Sequence, residues 1–305
     1  LFTDDTALYV EILEDNYHTA PIIGLAISNA KGTFFIERDK AVESDVFKEW
    51  AGNPDMKKTV HDVKKTTVAL HREGIELKGA SFDLFLASYV LNPAEPEVDM
   101  ADLAKKHNAG HIQTDEHVYG KGAKRKIPSP EVCGEHIARK AHAMGLIKAS
   151  IESQLIANAQ LSLLMDLELP LAIILAEMEI TGVKVDKERL KEMGGELAAR
   201  LADIEAKIYD LAGERFNINS PKQLGVILFE RLGLPVIKKT KTGYSTSADI
   251  LEKLENKHEI IREILIYRQL GKLQSTYIEG LLKVIHEDGK VHTRFNQALT
   301  QTGRL

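Results

Sequence analysis

Near Glu131 the apolar residues of this chain change their spacing, and that change limits the folds open to it. Upstream, the runs "ALYVEILE", "PIIGLAISNA" and "GTFFIER" are short, rich in β-branched and aromatic residues, and broken by Asn, Pro and Gly, as strands joined by turns are. "ISNAKGTFFI" reads as a hairpin turning at Ala30-Lys31-Gly32, and helical spacing follows over 42–50 and 63–73. "GIELKGASFDLFLASYVLNP" gives a short strand and then an apolar helix ending before Pro93, while "EHVYGKGAKRKIPSPE" reads as a mobile loop. Downstream the spacing is almost wholly helical. One apolar helix breaks at Thr181-Gly182, "VKVD" is extended, and Asp186 caps a second long helix that stops at Gly213. The pattern predicts an α/β domain followed by a mainly α one, and 305 residues are enough for two cores.

Several function classes are disfavoured. The single cysteine, Cys133, leaves no internal disulfide framework and no Cys-based zinc site, and suits a reducing cytoplasm. No apolar run reaches membrane-spanning length, and the acidic start "LFTDDTALYVEILED" lacks the basic and apolar regions of a signal peptide. That start has no Met, which points to a beginning other than a native initiator. The 11 histidines form no metal-ligand spacing, and His111, His136 and His142 read as surface or core residues. Charge is divided unevenly. Residues 213–305 hold 15 Lys and Arg against 10 Asp and Glu, whereas the whole chain holds 40 against 45, so the part before them carries 25 against 35. An acidic first part joined to a basic second part predicts that only the second meets a polyanion.

Three segments of that second part suit a phosphate backbone. In "FNINSPKQLGVILFERLGLP", Ser220 takes the N-cap, Pro221 the first helical position and Gln223 the place that completes a capping box; Gly233 and Pro235 end the helix. The unpaired N–H groups there can take a phosphate, with Asn219 and Lys222 adding donors. "VIKKTKTGYSTSAD" interleaves Lys238, Lys239 and Lys241 with Thr240, Thr242, Ser245, Thr246 and Ser247, with no acid from Pro235 to Ala248. Ser247 or Thr246 would also cap the helix "ADILEKLENK". In "EILIYRQLGKLQSTYIEGLLKVI" and the two residues before it, Ile261, Leu265, Leu273, Tyr277 and Leu281 form the expected buried stripe, and Arg268, Lys272, Ser275 and Thr276 share the polar face. None of the three offers a base-reading helix or an aromatic stacking platform, which favours sequence-independent duplex binding.

Those segments, together with the closing "VHTRFNQALTQTGRL", closely resemble the family A DNA polymerases, the bacterial DNA polymerase I type. The resemblance runs along the whole chain in the order of the polymerase large fragment. It implies a ribonuclease H-like 3′–5′ exonuclease-type domain over 1–155, a connecting helix and helical thumb over 156–285, and the first strands of a palm over 286–305. It further implies that the thumb grips primer–template duplex through its backbone and that "TGRL" meets the duplex. Carried over residue by residue, it implicates Asn219, Ser220, Lys222, Lys239, Lys241, Thr242, Ser245, Thr246, Ser247, Arg268, Lys272, Ser275, Thr276, Thr302 and Arg304. In this family the Mg²⁺-binding palm aspartates and the nucleotide-binding fingers lie beyond "TGRL". The 305 residues are therefore expected to bind no cofactor of their own and to extend no primer, although the full protein would be a DNA-directed DNA polymerase. A monomer working on nucleoid DNA in the bacterial cytoplasm is implied as well.

The family's proofreading chemistry needs four carboxylates holding two metals. The matching positions here are Tyr9 and Glu11 in "ALYVEILE", Thr66 eight residues before Gly74, and His136 and Lys140 in "HIARK". Only Glu11 retains a carboxylate, and a lysine replaces another, so the domain is expected to be a catalytically dead platform. Asp15, Asp62 and Asp83 are read as surface or capping acids. An active metal-dependent 3′–5′ exonuclease is the alternative from another enzyme class, and a non-enzymatic duplex-binding module the third reading.

Overall fold

The computed structural model describes residues 1–241 and 243–305. The chain forms two compact units, one of residues 1–182 and 292–305, the other of 183–291. These units cut across the sequence boundaries at 155 and 285: residues 156–182 and the closing stretch from His292 pack with the first domain rather than with the helical one.

The first unit is built on a five-stranded sheet in the order β3-β2-β1-β4-β5. Strands β1 (Thr6–Glu11), β2 (Gly24–Asn29) and β3 (Gly32–Ile36) run antiparallel, and the expected hairpin turns over Ala30-Lys31. Strands β4 (Lys58–Val60) and β5 (Ala80–Asp83) add on in parallel. Every residue of β1 is buried, as expected of a central strand covered on both faces. The single helix expected over 42–50 is two, α1 (Arg38–Glu43) and α2 (Asp45–Gly52), because Ser44 leaves the helical conformation and its Oγ accepts the Phe47 N–H at 3.1 Å. Helix α3 (Val63–Arg72) starts at Asp62, whose carboxylate accepts from the Lys65 N–H.

Helix α4 (Leu84–Leu91) starts at Asp83, and α5 (Met100–Lys106) follows. Overlapping the start of the supposed mobile loop is a short helix, α6 (Asp115–Tyr119), capped by Thr114. Helix α7 (Pro130–Ala157) lies on β1 and β2, and α8 (Leu169–Thr181) packs against α3 after a π-helical approach over Leu163–Glu168. The close fit of α7 on the sheet requires two glycines. A Cβ at Gly24 would stand 2.6 Å from the Phe35 ring, and one at Gly134 would stand 2.9 Å from it.

The second unit opens with β6 (Val183–Lys184) after Gly182, whose φ of +64° ends α8 where the sequence predicts. Asp186 caps α9 (Lys187–Ala212), and Gly213 closes it, again as predicted. Helix α10 (Pro221–Gly225) continues in π-helical form over Val226–Arg231. A small hairpin, β7 (Lys239–Thr240) and β8 (Gly243–Tyr244), precedes α11 (Ala248–Glu252), which is shorter than expected: past Glu252 the backbone bonds tighten to three-residue turns, Leu254 N–H to Leu251 and Lys257 N–H to Leu254. Helix α12 (Glu259–Lys272) packs on α9 and continues as a π-helix over Leu273–Glu279 and then α13 (Gly280–Val284); β9 (Lys290–Val291) pairs with β6.

The π-helical stretch overturns part of the expected stripe. Its wider turn rotates Leu273 and Tyr277 outward, to 40% and 52% exposure, and the buried positions fall to Leu270 and Ile278. Among the described residues no helix is long and apolar enough to cross a membrane.

Asp83 is the tightest local knot in the first unit. Its buried carboxylate accepts the N–H groups of Asp62 (3.0 Å), Val63 (2.7 Å), Phe85 (2.9 Å) and Leu86 (3.4 Å), joining the starts of α3 and α4. Burial and then the neighbouring Asp62 push its pKa up to about 7. Removing these acceptors strands buried donors. Asp83→Ala is expected to lower the unfolding free energy in urea by ~2–4 kcal/mol, and Asp83→Asn, which keeps one acceptor oxygen, by less.

Candidate nucleic-acid interface

The second unit has a cavity of about 790 Å³ where the three basic segments converge: Ser220 and Lys222 at the start of α10, Thr240 and Gly243 to Ser247 from the hairpin loop, and Arg268 from α12. Tyr244 holds the arrangement together. Its ring lies 5.1 Å from that of Phe229 and packs on Gly225, where a Cβ would approach it to 3.2 Å. The hydrogen bond to Glu230, more than burial, raises its pKa. Sequence reading missed Tyr244, although an aromatic inside a lysine-rich loop is a signal for such an anchor.

Ser220 caps α10 as expected, its Oγ accepting from Gln223 N–H at 3.4 Å. The return half of the box differs: Gln223 Oε1 accepts from the Asn217 N–H at 2.8 Å, and the Ser220 N–H goes to the Asn217 carbonyl. Asn219 donates its own N–H to the Asn217 side chain.

The hydroxyls of the loop divide into two groups. Thr246 is 5% exposed, its carbonyl and Oγ1 both accepting from the Arg268 guanidinium, and Ser245 is 8% exposed, with its Oγ 3.1 Å from that of Ser247. Thr246 and Arg268 thus fasten the loop to α12, and Ser245 braces the loop internally, instead of standing open to solvent. Ser247 occupies the cap of α11 without a side-chain cap bond. Lys238, Lys239 and Lys241 stay exposed, with Lys239 Nζ 5.6 Å from the centre of the Tyr244 ring. Thr242 lies outside the described residues. Lys272, Ser275 and Thr276 are exposed farther along the helix, not in the cavity, and Ser275 bonds back to the Gly271 carbonyl.

In the first unit, β1 presents Tyr9 and Glu11 on one face, as residues two apart must, and α7 presents His136 and Lys140 one turn apart. The Lys140 ammonium donates to Glu11 Oε2 at 2.6 Å, to Asp115 Oδ1 at 2.5 Å and to Tyr9 Oη at 3.3 Å. His136 Nε2 lies 2.8 Å from Asp115 Oδ1, and Tyr119 donates to Glu11 Oε2 at 3.2 Å. Burial alone would lower the lysine's pKa, but Tyr9, Glu11 and Asp115 outweigh it and hold it well above its ordinary value. Thr66 is not among these contacts; its hydroxyl bonds weakly back to the His61 carbonyl. Asp62 and Asp83 cap helices and Asp15 is exposed, as their reading as surface or capping acids requires.

Sequence reading missed Asp115 and Tyr119, which arrive with α6. Thr114 followed by two acids was the available sign of a helix start. Ligand atoms of Glu11, Asp115 and His136 all lie within 4.8 Å of one another, so they could hold one metal ion. The ammonium of Lys140 already sits on both carboxylates, however, and this donor set does not fit the paired divalent ions of exonuclease chemistry.

The closing stretch carries Thr302 and Arg304, both exposed, and the first domain fixes its course. Glu179 of α8, wholly buried, accepts from the Phe295 N–H and from Lys64 Nζ, each at 2.7 Å, and from Tyr17 Oη at 2.7 Å. Its carbonyl lies 2.7 Å from His292 Nδ1, and Gln297 donates to the Glu168 carboxylate at 2.6 Å. Tyr89 donates to the Thr300 carbonyl at 2.7 Å.

Residues 8–147 match the family described as DNA polymerase I, ribonuclease H-like domain, and residues 187–305 match DNA polymerase family A. Over its whole length the chain is 59% identical to DNA polymerase I of Bacillus subtilis (strain 168) and 56% identical to that of Geobacillus stearothermophilus, and it spans 35% of the length of each. Among solved structures it resembles the POL domain of Pol1 from M. smegmatis in complex with DNA primer-template and dNTP. The TM-score is 0.82 at 30% identity, over 99% of this chain and 50% of that one.

The buried cluster has a pH signature. Burial alone would raise Asp115, but its hydrogen bond to His136 and the charge of Lys140 bring it down from 3.8 to about 2. A carboxyl so lowered stabilises the fold above its unfolded pKa and loses that contribution as pH falls through its folded value. Asp115→Asn should therefore flatten the fall in unfolding free energy between about pH 4 and pH 2, read from urea titrations at stepped pH. A profile identical to the parent's would mean that the Asp115 charge is not engaged.

Proposed function

This chain belongs to DNA polymerase family A, and from that premise we propose that the protein carrying it is a DNA-directed DNA polymerase in which residues 183–291 act as the thumb that grips primer–template duplex. The observation that carries the reading is the meeting of three basic segments, distant in sequence, around one cavity of about 790 Å³. Lys239 and Lys241 at the loop supply charge for phosphates, while Ser245, Thr246 and Arg268 keep the loop in place. Backbone contacts of this kind fix a protein on duplex without reading sequence. Lys272, Ser275 and Thr276 extend the track along the helix, and Thr302 and Arg304 add contacts from the palm side. The partner is duplex DNA of the nucleoid, held by a monomer. Incoming nucleotide and Mg²⁺ are assigned in this reading to other parts of the polymerase, in line with the chain spanning 35% of the DNA polymerase I relatives it matches.

The ribonuclease H-like domain is proposed to be a platform without proofreading activity. The competing reading, a metal-dependent 3′–5′ exonuclease, would rest on Glu11, Asp115 and His136. Those groups would have to release the Lys140 ammonium and then hold two ions with two carboxylates.

Binding should depend on salt through the exposed lysines. In the double variant Lys239→Ala, Lys241→Ala, the slope of log K against log salt is expected to fall by about 2, measured by fluorescence anisotropy with a primed duplex. An unchanged slope would remove the loop from the interface. Activity assays separate the enzyme readings: the full-length protein should extend a primed template with Mg²⁺ and dNTPs, and the 305-residue chain should not. Mn²⁺-dependent loss of 3′-terminal nucleotides from a single strand, abolished by Glu11→Gln, would establish the exonuclease instead.

A further inference from the structure

The closing stretch from His292 to Arg304 has almost no regular structure, yet side chains of the first domain hold it at intervals along its length. At its start, Glu179 accepts from the Phe295 N–H, His292 Nδ1 bonds the Glu179 carbonyl, and Arg294 donates to the Asp15 carbonyl. In the middle, Gln297 is 5% exposed and donates to both the carbonyl and the carboxylate of Glu168. Near its end, Tyr89, 4% exposed, donates to the Thr300 carbonyl, and the Thr300 hydroxyl in turn accepts from the Arg304 N–H at 2.8 Å.

The last of these contacts tie a buried ring, through the Thr300 carbonyl and hydroxyl, to the backbone of Arg304, whose side chain is exposed. At the other end, Glu179 has no solvent in which to trade partners. One of its carboxylate oxygens takes Lys64 and Phe295, and the other takes Tyr17 and lies 3.3 Å from His18 Nε2. A segment with no ladder of its own has little intrinsic order, so the course of its backbone depends on these anchors.

We propose that Glu179 and Tyr89 are positioning residues for DNA binding: they fix the segment 292–304 so that Thr302 and Arg304 are presented to the duplex in one conformation. The ribonuclease H-like domain then has a task that needs no nuclease chemistry, which is to hold the first palm segment in place. The proposal rests on the reading of Thr302 and Arg304 as duplex contacts. Neither Glu179 nor Tyr89 need touch DNA. Their effect passes through the backbone they hold, and its loss should appear as weakened primer–template binding more than as slowed chemistry.

The test uses the full-length protein, steady-state primer extension and anisotropy with a primed duplex. Tyr89→Phe deletes one hydroxyl and keeps the buried ring, so it leaves the core filled. Glu179→Gln removes the charge from the hub. Each is expected to raise the KM and Kd for primer–template ~3- to 10-fold with kcat nearly unchanged. In a Thr302→Ala, Arg304→Ala background the same substitutions should have no further effect, because both contacts they position are gone. General loss of stability would instead add to the effect of that double variant, and such additivity overturns the proposal. Wild-type KM in both Tyr89→Phe and Glu179→Gln, alongside a raised KM in Arg304→Ala, also overturns it while leaving the duplex contact intact. If Arg304→Ala itself binds primer–template normally, the underlying reading fails and the proposal with it.

Discussion

A buried ammonium organises the first domain. Glu11 sits at 1% exposure on the strand that pairs on both sides, and an unpaired carboxylate there would cost several kcal/mol. Lys140 supplies the counter-charge from α7 and can reach only because that helix lies close on the sheet. The close approach in turn leaves no room for a side chain at Gly24 or Gly134, where Phe35 fills the space. Asp115 balances the same ammonium, so α6 must fold in with it and bring Tyr119 under cover. One charge thus dictates the seat of a long helix, the identity of two glycines and the order of a segment that sequence alone assigns to a loop.

The parts of the fold legible in the sequence are those decided by neighbours in the chain. The turn at Ala30-Lys31, the cap at Asp186, the stop at Gly213 and the start of α10 at Ser220 all depend on local backbone chemistry and stand where predicted. What escaped depends on distant partners or on a changed helical period. Asp115 acquires its role only when α6 meets α7 in space. Glu179 looks like an ordinary acid in an apolar helix until Lys64, Tyr17 and Phe295 close around it. Leu273 and Tyr277 were assigned to the core on regular helical spacing, which the π-helical stretch breaks. The unit boundaries differ for the same reason: the resemblance implies divisions at 155 and 285, but the contacts that hold 292–305 come from the first domain.

The basic loop of the second unit separates two jobs that its composition had merged. Its hydroxyls and Arg268 look, as sequence, like further phosphate ligands. In the fold Thr246 takes two bonds from Arg268, and Ser245 is buried against Ser247. Tyr244 pins the strand beside them to the helix of α10. Rigidity is supplied by the buried members and charge by the exposed ones, Lys239 and Lys241. Fixing the backbone beforehand lowers the ordering cost that a flexible loop would meet on binding.

The Lys140 cluster has a further consequence for how this domain lives in a cell. A divalent ion held by carboxylates comes and goes with its free concentration, so a fold that relies on one is hostage to metal supply and to chelators. An ammonium carried on the chain's own backbone is delivered in fixed stoichiometry at synthesis and cannot diffuse away. The charges of Glu11 and Asp115 are therefore balanced once the chain folds, by a cation that no chelator can strip away.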